Sequence, residues 1–319
     1  RIGLCYTQLE NEEQAKDFFE KAIKVKPDYS EGLTNFGFIL QKLKNYSLAV
    51  VQFEKVLSID ASNKAFVNLS RAYFDDGRLP KAIEVARQGL LSWPKNIPLL
   101  KSLIASLMLL NRFDEGLIEC KEILSINSDD ADTINAAGTI YEKQGLYDKA
   151  KEHFLRALEL DQNLVQAKIN IATLFQLEGN EEKANDIYTN IAKVHPENAE
   201  VLYRRSALAF KLKNLDEAWR YYEYRWKVFP MSKATWPIKN KAVWKGERGK
   251  RIALWKEQGI GDQIILLSLV PEVKEMCGML SVYVDPRLKK MCERSIPGLK
   301  VLQSESLLKK EECDYHLPL

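Results

Sequence analysis

Small and bulky apolar residues recur along the first two thirds of the chain with a period of about 34 residues. In each unit a small residue is usually followed three positions later by a bulky one, then by a second small residue, and then by a mostly aromatic residue. Spacings of three and four residues place side chains on one face of an α-helix, so each unit predicts two amphipathic helices. The constant period predicts a stack of helix pairs.

The small residues of each unit allow its two helices to approach closely. The first small position is occupied by Gly3, Gly37, Ser70, Ile104, Gly138, Ala172 and Ser206. The second is occupied by Ala15, Ala49, Ala82, Gly116, Ala150, Ala184 and Ala218, and the residue four positions later is Phe19, Phe53, Ala86, Cys120, Phe154, Tyr188 or Tyr222. We expect this last residue to fill the gap to the next unit, and we expect an irregular fourth unit because Ile104 and Gly116 depart from the pattern. Pro27, Pro94 and Pro196 predict helix ends.

This pattern resembles the tetratricopeptide repeat over residues 1–226, which corresponds to about seven helix pairs with the first one truncated. The resemblance implies a solenoid whose concave groove is lined by the first helix of each pair and binds a polypeptide. Because residue 1 falls inside a repeat, we expect further units before it.

Asparagine returns at one position of the first helix, two residues before the small residue, although asparagine is a poor helix former. The series is Asn35, Asn68 and Asn170, with Arg204 in the last unit. The arm of O-linked N-acetylglucosamine transferases resembles this arrangement, since it carries an asparagine ladder that holds peptide backbone. One interpretation is therefore a peptide groove, in which each carboxamide offers a donor and an acceptor to an extended ligand. The alternative is that these side chains are solvated or hydrogen-bond between neighbouring repeats.

Residues 227–249 predict an ordered connector, because large rings are interspersed with basic residues. Between Arg225 and Lys256 the chain carries ten basic residues and one acidic residue. We expect the rings to cap the last repeat and dock it on the next domain; they are Trp226, Phe229, Trp236 and Trp244. The lysines are either ordinary solvated charges or contacts for phosphate or anionic lipid.

Residues 250–319 predict an incomplete α/β domain of Rossmann-like type. Short apolar runs at 251–255 and 280–284 flank a helical stretch, and further strands are expected at 300–302 and from Asp314. The fold class is therefore mostly α, with a helical solenoid followed by part of a parallel-sheet domain. With 69 residues from Arg251 onward, this domain is shorter than a typical complete one of about 100 to 150 residues.

The loop Gly259-Ile260-Gly261-Asp262 follows the first of these strands and opens a helix. Such a turn can present backbone N–H groups to an anion. A dinucleotide fingerprint is incomplete here, because its third glycine would fall at Ile264, and no phosphate-loop GxxxxGK[ST] motif occurs. We expect Gly259 and Gly261 to form the turn and to border a substrate site.

The stretches EQGIGDQIILLSLVP, VYVDPRL and CDYHLPL resemble bacterial proteins that join tetratricopeptide repeats to a heptosyltransferase-like glycosyltransferase domain of the two-lobed GT-B type. The resemblance implies that this part is the acceptor lobe and that Asp262 is a general base acting on the acceptor hydroxyl. It also implies that His316 faces the cleft. Asp262 is equally placed to be the N-cap of its helix.

Three functions are consistent with these features. The first is a peptide-binding arm that presents a polypeptide to a glycosyltransferase, whose nucleotide-sugar would bind only in a longer parent, so that this fragment alone would be inactive. The second is an interaction scaffold without chemistry. The third is transfer to a lipid or saccharide, with the repeats used for docking.

Composition and charge bear on the classes of ligand, metal site and location that remain open. A net charge of +3 does not favour nucleic acid, and 46% apolar residues are enough for a substantial core. Five scattered cysteines without a CxxC pair indicate neither disulfides nor zinc and favour a reducing, cytoplasmic location. We expect no metal, no cofactor and no membrane span.

Overall fold

The computed structural model describes residues 2–9, 11–228, 237–238, 240–257 and 259–318. The chain divides into two compact units, Arg1–Leu208 and Ala209–Leu319. The sequence-based boundaries at 226 and 249 stay predictions.

Paired α-helices build the first unit, and each helix packs against its neighbours in chain order. The helices are α1 (Ile2–Gln8), α2 (Glu12–Val25), α3 (Ser30–Lys42), α4 (Tyr46–Ile59), α5 (Asn63–Asp75), α6 (Leu79–Ser92), α7 (Ile97–Leu109), α8 (Phe113–Ile126), α9 (Ala131–Lys143), α10 (Tyr147–Leu160), α11 (Val165–Leu177), α12 (Glu181–Val194) and α13 (Ala199–Lys211), the last of which continues past residue 208. Pro27, Pro94 and Pro196 each lie two residues after a helix end, as predicted.

The small residues of the first helices lie directly under aromatic rings of the second helices. A β-carbon added at Gly37 would come within 2.6 Å of the Phe53 ring, and one added at Gly138 within 2.7 Å of the Phe154 ring. The aromatic residue therefore packs on the first helix of its own unit, whereas the sequence suggested the gap to the next unit. The requirement for a small residue follows from this contact.

The fourth unit is regular, so the expectation of irregularity there is wrong. Helices α7 and α8 have the same lengths as α3 and α4, 13 and 14 residues. Ile104 and Cys120 are both buried in one apolar cluster with Ile140. Cys120 stands where five of the other six units carry a large ring, and its small side chain is compatible with the larger Ile104 beside it.

The turn between the two helices of a pair has a left-handed backbone at one repeating position. Positive φ angles occur there at Lys44, Gly77, Asn111, Gly145, Gly179 and Lys213. Glycine adopts this conformation without steric cost and asparagine more easily than most residues, but lysine does not. The units therefore share one turn geometry, which is unstrained where the residue is glycine and strained where it is lysine.

The second unit contains a five-stranded parallel sheet with the order β1-β5-β2-β3-β4. Its elements after α13 are α14 (Leu215–Tyr222), α15 (Arg225–Val228), β1 (Ala242–Val243), β2 (Arg251–Trp255), α16 (Ile260–Leu267), α17 (Val270–Met276), β3 (Met279–Tyr283), a 3₁₀ turn (Pro286–Leu288), α18 (Lys289–Ser295), β4 (Lys300–Leu302), α19 (Glu305–Lys310) and β5 (Tyr315–Pro318).

Both faces of the sheet are covered, as the continuous apolar strands predict. Ile252 and Leu254 point into one apolar cluster, while Ala253 and Trp255 point into another. Trp244 belongs to the first cluster, and Trp226 packs against the second. Phe229 and Trp236, the other two rings of the expected connector, lie outside the described residues.

The helix predicted after β2 is divided into α16 and α17. Pro271 is the second residue of α17 and has no N–H to continue the hydrogen-bond ladder of α16. β1 and α19 were not anticipated from the sequence, since two and six residues are too few to show a periodic pattern.

Candidate functional site

The first candidate site is the set of first helices of the repeats from the second unit onward, which we call the helix-A series; they are α3, α5, α7, α9, α11 and α13. In its later part the predicted ladder residues hydrogen-bond to neighbouring repeats. The carboxamide of Asn170, 7% exposed, donates to Asn135 Oδ1 at 3.0 Å and to Thr139 Oγ1 at 3.2 Å. Asn170 also accepts from Gln166 at 3.2 Å. Asn170 therefore ties α11 to α9, which is the alternative considered for the ladder.

Arg204 is held in the same way. Its guanidinium donates to Thr173 Oγ1 at 3.1 Å on α11, and to Glu200 Oε1 at 3.0 and 2.9 Å on its own helix. Earlier in the series, the hydroxyls of Ser70 on α5 and Ser102 on α7 are 2.7 Å apart across the third and fourth units. At the ladder positions of α11 and α13, the side chains are thus occupied by polar contacts between units.

Asn35 and Asn68 differ from the later members. Both are partly buried, and within the described residues neither carboxamide makes a hydrogen bond. Asn35 also lines a cavity of about 440 Å³ whose other walls are mainly apolar. Phe38, 44% exposed, lies three residues beyond Asn35 and so on the same side of α3. The open part of the predicted ladder is therefore confined to α3 and α5.

The second candidate site is a cavity of about 410 Å³ inside the second unit. It lies where β1, β5 and β2 end, which is the edge of a parallel sheet at which ligands usually bind. Its walls are mainly apolar and aromatic, and the volume falls within the range of small-molecule sites, about 300 to 1,000 Å³. The lining residues are Phe210, Trp219, Tyr222, Glu223, Arg225, Trp226, Val243, Glu257, Asp262, Ile265, Leu266, Leu317 and Pro318.

A buried arginine organises one side of this cavity. Arg225, 7% exposed, donates from Nε and Nη2 to the two carboxylate oxygens of Glu257, both at 3.0 Å. Nη1 donates to Glu223 at 2.7 Å, and the guanidinium carbon lies 4.2 Å from the ring centre of Tyr222 and 4.3 Å from that of Trp226. Burial disfavours the charge, but the hydrogen bonds to the two glutamates outweigh it, so the pKa of Arg225 is raised. The pair joins α15 to the loop before α16.

Asp262 occupies the first turn of α16 but is not its N-cap. Gly259 is the N-cap residue, so the expectation that Asp262 is the N-cap is wrong. The carboxylate is exposed on the cavity wall and bends back toward Gly259, where an added β-carbon would lie 3.4 Å from Oδ2. Within the described residues the side chain of Asp262 makes no hydrogen bond or ion pair. A free carboxylate at this point can accept a proton or pair with a donor.

The two loop glycines are not needed for a left-handed turn. Gly259 has a φ of −59°, and Gly261 has no positive φ either. A side chain at Gly261 would meet nothing within 4 Å. Gly259 still stands at the turn into α16 as its N-cap, and the expectation that the two glycines border a substrate site stays a prediction.

His316 is placed differently from the expectation that it face a cleft. It is 1% exposed, and its Nδ1 accepts a hydrogen bond from Trp255 Nε1 at 3.0 Å. Burial lowers the pKa of His316 and so favours the neutral imidazole. Strand β5 alternates between the two covered faces of the sheet, and His316, paired with Ala253 on β2, lies on the face that carries Ala253 and Trp255.

Sequence reasoning missed most of the cavity wall. The pairing of Arg225 with Glu257 joins residues 32 positions apart, and no periodic pattern connects them. Gln263 was also missed: it is 2% exposed and accepts from the Asp285 N–H at 2.9 Å, which fixes α16 to the end of β3. The available signal was a second polar residue, after Asp262, in a helix whose following residues are all apolar.

Within the described ranges, no three His, Cys, Asp or Glu side chains are grouped as metal ligands would be. The same part of the chain contains no helix with both the length and the apolarity needed to cross a membrane.

Comparison with known proteins supports the repeat assignment. Models of the tetratricopeptide repeat match residues 1–29, 30–63 and 131–164. Protein FlbA of Caulobacter vibrioides is 27% identical over 220 residues, which cover 66% of this chain and 37% of FlbA. An uncharacterized protein, ycf37, of Porphyra purpurea is 36% identical over 63 residues, covering 20% of this chain and 36% of that protein. The chain thus spans little more than a third of the length of either relative.

A solved structure shows the same fold. A thermophilic tetratricopeptide-repeat protein of Thermus thermophilus superposes with a TM-score of 0.52 at 20% identity, over 57% of this chain and 99% of that one. Tetratricopeptide repeats are therefore present in this chain, as the sequence pattern predicts.

Proposed function

We propose that this chain is a protein-interaction scaffold that binds an extended polypeptide along its repeats, at α3 and α5. The observation that carries the proposal is the pair of open carboxamides at Asn35 and Asn68, since the later ladder positions are occupied by contacts between repeats. A carboxamide matches both polar groups of a peptide unit, so binding of this kind depends on backbone rather than on side-chain identity. The exposed ring of Phe38 adds an apolar contact beside Asn35.

A peptide-library selection on the full chain, followed by affinity measurement, tests this proposal. Replacing Asn35 and Asn68 together with alanine should weaken binding of the selected peptides by at least about 5- to 150-fold, because even one lost hydrogen bond per asparagine, worth about 0.5 to 1.5 kcal/mol each, gives this range. Asn190, exposed on the second helix α12, provides the control, and Asn190→Ala should leave affinity unchanged. If the double variant bound the selected peptides as tightly as the unaltered chain, the proposal would be contradicted.

The second unit favours an additional function. We propose that it is the acceptor lobe of a GT-B glycosyltransferase present in a longer protein, with Asp262 as the general base and a polypeptide as the acceptor. The supporting observation is the unpaired carboxylate of Asp262, within the described residues, on a cavity at the carboxyl edge of the parallel sheet. Rossmann-like topology, a nucleotide-sugar donor and a cytoplasmic location belong to this proposal.

Transfer of radiolabelled sugar from nucleotide-sugars, assayed in a longer protein that contains this chain, tests the second function. Asp262→Asn should lower transfer by about 100-fold or more while leaving donor binding intact, as expected for loss of a general base. Full activity of this variant would contradict the assignment of the base. A complete lack of transfer by the unaltered longer protein would leave the interaction scaffold as the function.

A further inference from the structure

The cavity of the second unit has walls that select the charge of its occupant. Three carboxylates line it, those of Glu223, Glu257 and Asp262, against the one guanidinium of Arg225. Arg225 is already engaged by Glu257 and Glu223. The cavity therefore retains net negative charge and disfavours phosphate, diphosphate and carboxylate ligands.

An aromatic surface stands next to the carboxylate of Glu223. Trp219 is 55% exposed and lies four residues before Glu223, so the two side chains share one side of the α14 helix. The Trp219 ring is held edge-on by Phe210 at 4.9 Å and by Tyr222 at 5.7 Å between ring centres. A fixed, exposed indole beside a carboxylate, with about 70% of the Glu223 side chain exposed, suits a cation on an apolar stem.

A cation held between aromatic rings and carboxylates already occurs in the cavity wall. Arg225 stacks against two rings while its guanidinium pairs with carboxylates. Trp219 and Glu223 repeat this chemistry on the open side, where no cation of the described residues lies over the Trp219 ring. We propose that this cavity binds a basic side chain, arginine in the first place, of the polypeptide partner.

This inference rests on the proposed binding of a polypeptide, and it adds a recognition element separate from Asn35 and Asn68. It leaves Asp262 available for the proposed transfer chemistry, because the cation is placed against Glu223 and Trp219. Backbone recognition alone gives no side-chain preference, so this cavity would add a preference for a basic residue in the partner.

The test uses N-acetyl-arginine amide, and N-acetyl-citrulline amide as its neutral isostere, titrated into the full chain. The signal is the tryptophan indole N–H resonance assigned to Trp219 with the Trp219→Leu variant. We expect arginine amide to bind at least about fivefold more tightly than the citrulline compound, and we expect binding to weaken with added salt. Glu223→Gln should reduce binding about fivefold or more, whereas Asp216→Asn, an equal charge change elsewhere on α14, should not.

Other outcomes overturn the inference. Equal binding of the citrulline compound, or no binding of either, would show that the cavity does not select a cation. Preferential binding of methyl glycosides would make the cavity a saccharide site, and binding of uridine diphosphate would contradict the charge argument. Because the amide probes do not need the repeats, their failure leaves the Asn35 and Asn68 experiment as an independent test of polypeptide binding.

Discussion

The left-handed turn recurs at equivalent positions of the repeats, and substitutions there should change the free energy of unfolding in opposite directions. Adding a β-carbon to a glycine should lower it, and removing one from a lysine should raise it. Gly145 has a φ of +77°, and a β-carbon added there would meet nothing within 4 Å. Gly145→Ala therefore changes no packing and tests the backbone alone. A residue with a β-carbon in this conformation costs about 1 to 2 kcal/mol, and the reduced freedom of the unfolded chain returns about 0.4 to 1 kcal/mol. We expect a net loss of about 1 kcal/mol in the free energy of unfolding.

Lys44 occupies the equivalent position with a φ of +60° and an exposed side chain. Lys44→Gly should accordingly raise the free energy of unfolding by about 1 kcal/mol. Lys44→Ala is the control, because it removes the charge but keeps a β-carbon. Urea denaturation followed by far-ultraviolet circular dichroism measures all three variants. The reasoning fails if Gly145→Ala is as stable as the unaltered chain, or if Lys44→Gly is no more stable than Lys44→Ala.

Three further predictions concern buried groups. Burial lowers the pKa of His316 below its ordinary value of 6.5, so the stability that the neutral imidazole contributes is present above pH 6.5 and is lost as the pH falls below it. Urea midpoints measured across this pH range should therefore fall less for a His316→Gln variant than for the unaltered chain. Glu257→Gln should destabilise the second unit by up to about 3 kcal/mol, measured by urea denaturation, since Arg225 would stay buried with only the more exposed Glu223 as its charge partner; equal stability would contradict a buried pair. Burial raises the pKa of Cys120 to about 12, so mass spectrometry after brief alkylation of the native chain should show the exposed Cys5 modified and Cys120 unmodified.

The repeats were predictable because each helix meets only near neighbours in sequence. Ala49 and Phe53 are four residues apart on one helix, and the contact of Phe53 with Gly37 lies within a single unit. Local spacing therefore contains nearly all the information that sets this fold. The compensation between Ile104 and Cys120 was not predictable in the same way, because the pattern shows each substitution but not the shared volume.

Only the outline of the second unit could be predicted from the sequence. The strands near Arg251 and Lys300 were found from short apolar runs, whereas the position of β5 between β1 and β2 depends on pairing between segments far apart in the chain. The cavity wall depends on similarly distant contacts, such as that of Arg225 with Glu257. His316 was assigned to a cleft by family resemblance, but its burial depends on the pairing of β5 with both β1 and β2, which the sequence does not show.

Backbone recognition by Asn35 and Asn68 is the central claim, and amide-to-ester substitution in a selected peptide tests it most directly. Replacing one peptide amide by an ester removes a single N–H donor and leaves every side chain in place. We expect the esters opposite these two asparagines to weaken binding to the unaltered chain, and to have no effect on binding to the Asn35→Ala, Asn68→Ala double variant. Equal effects on both proteins, or no effect at any ester position, would contradict backbone recognition by these carboxamides.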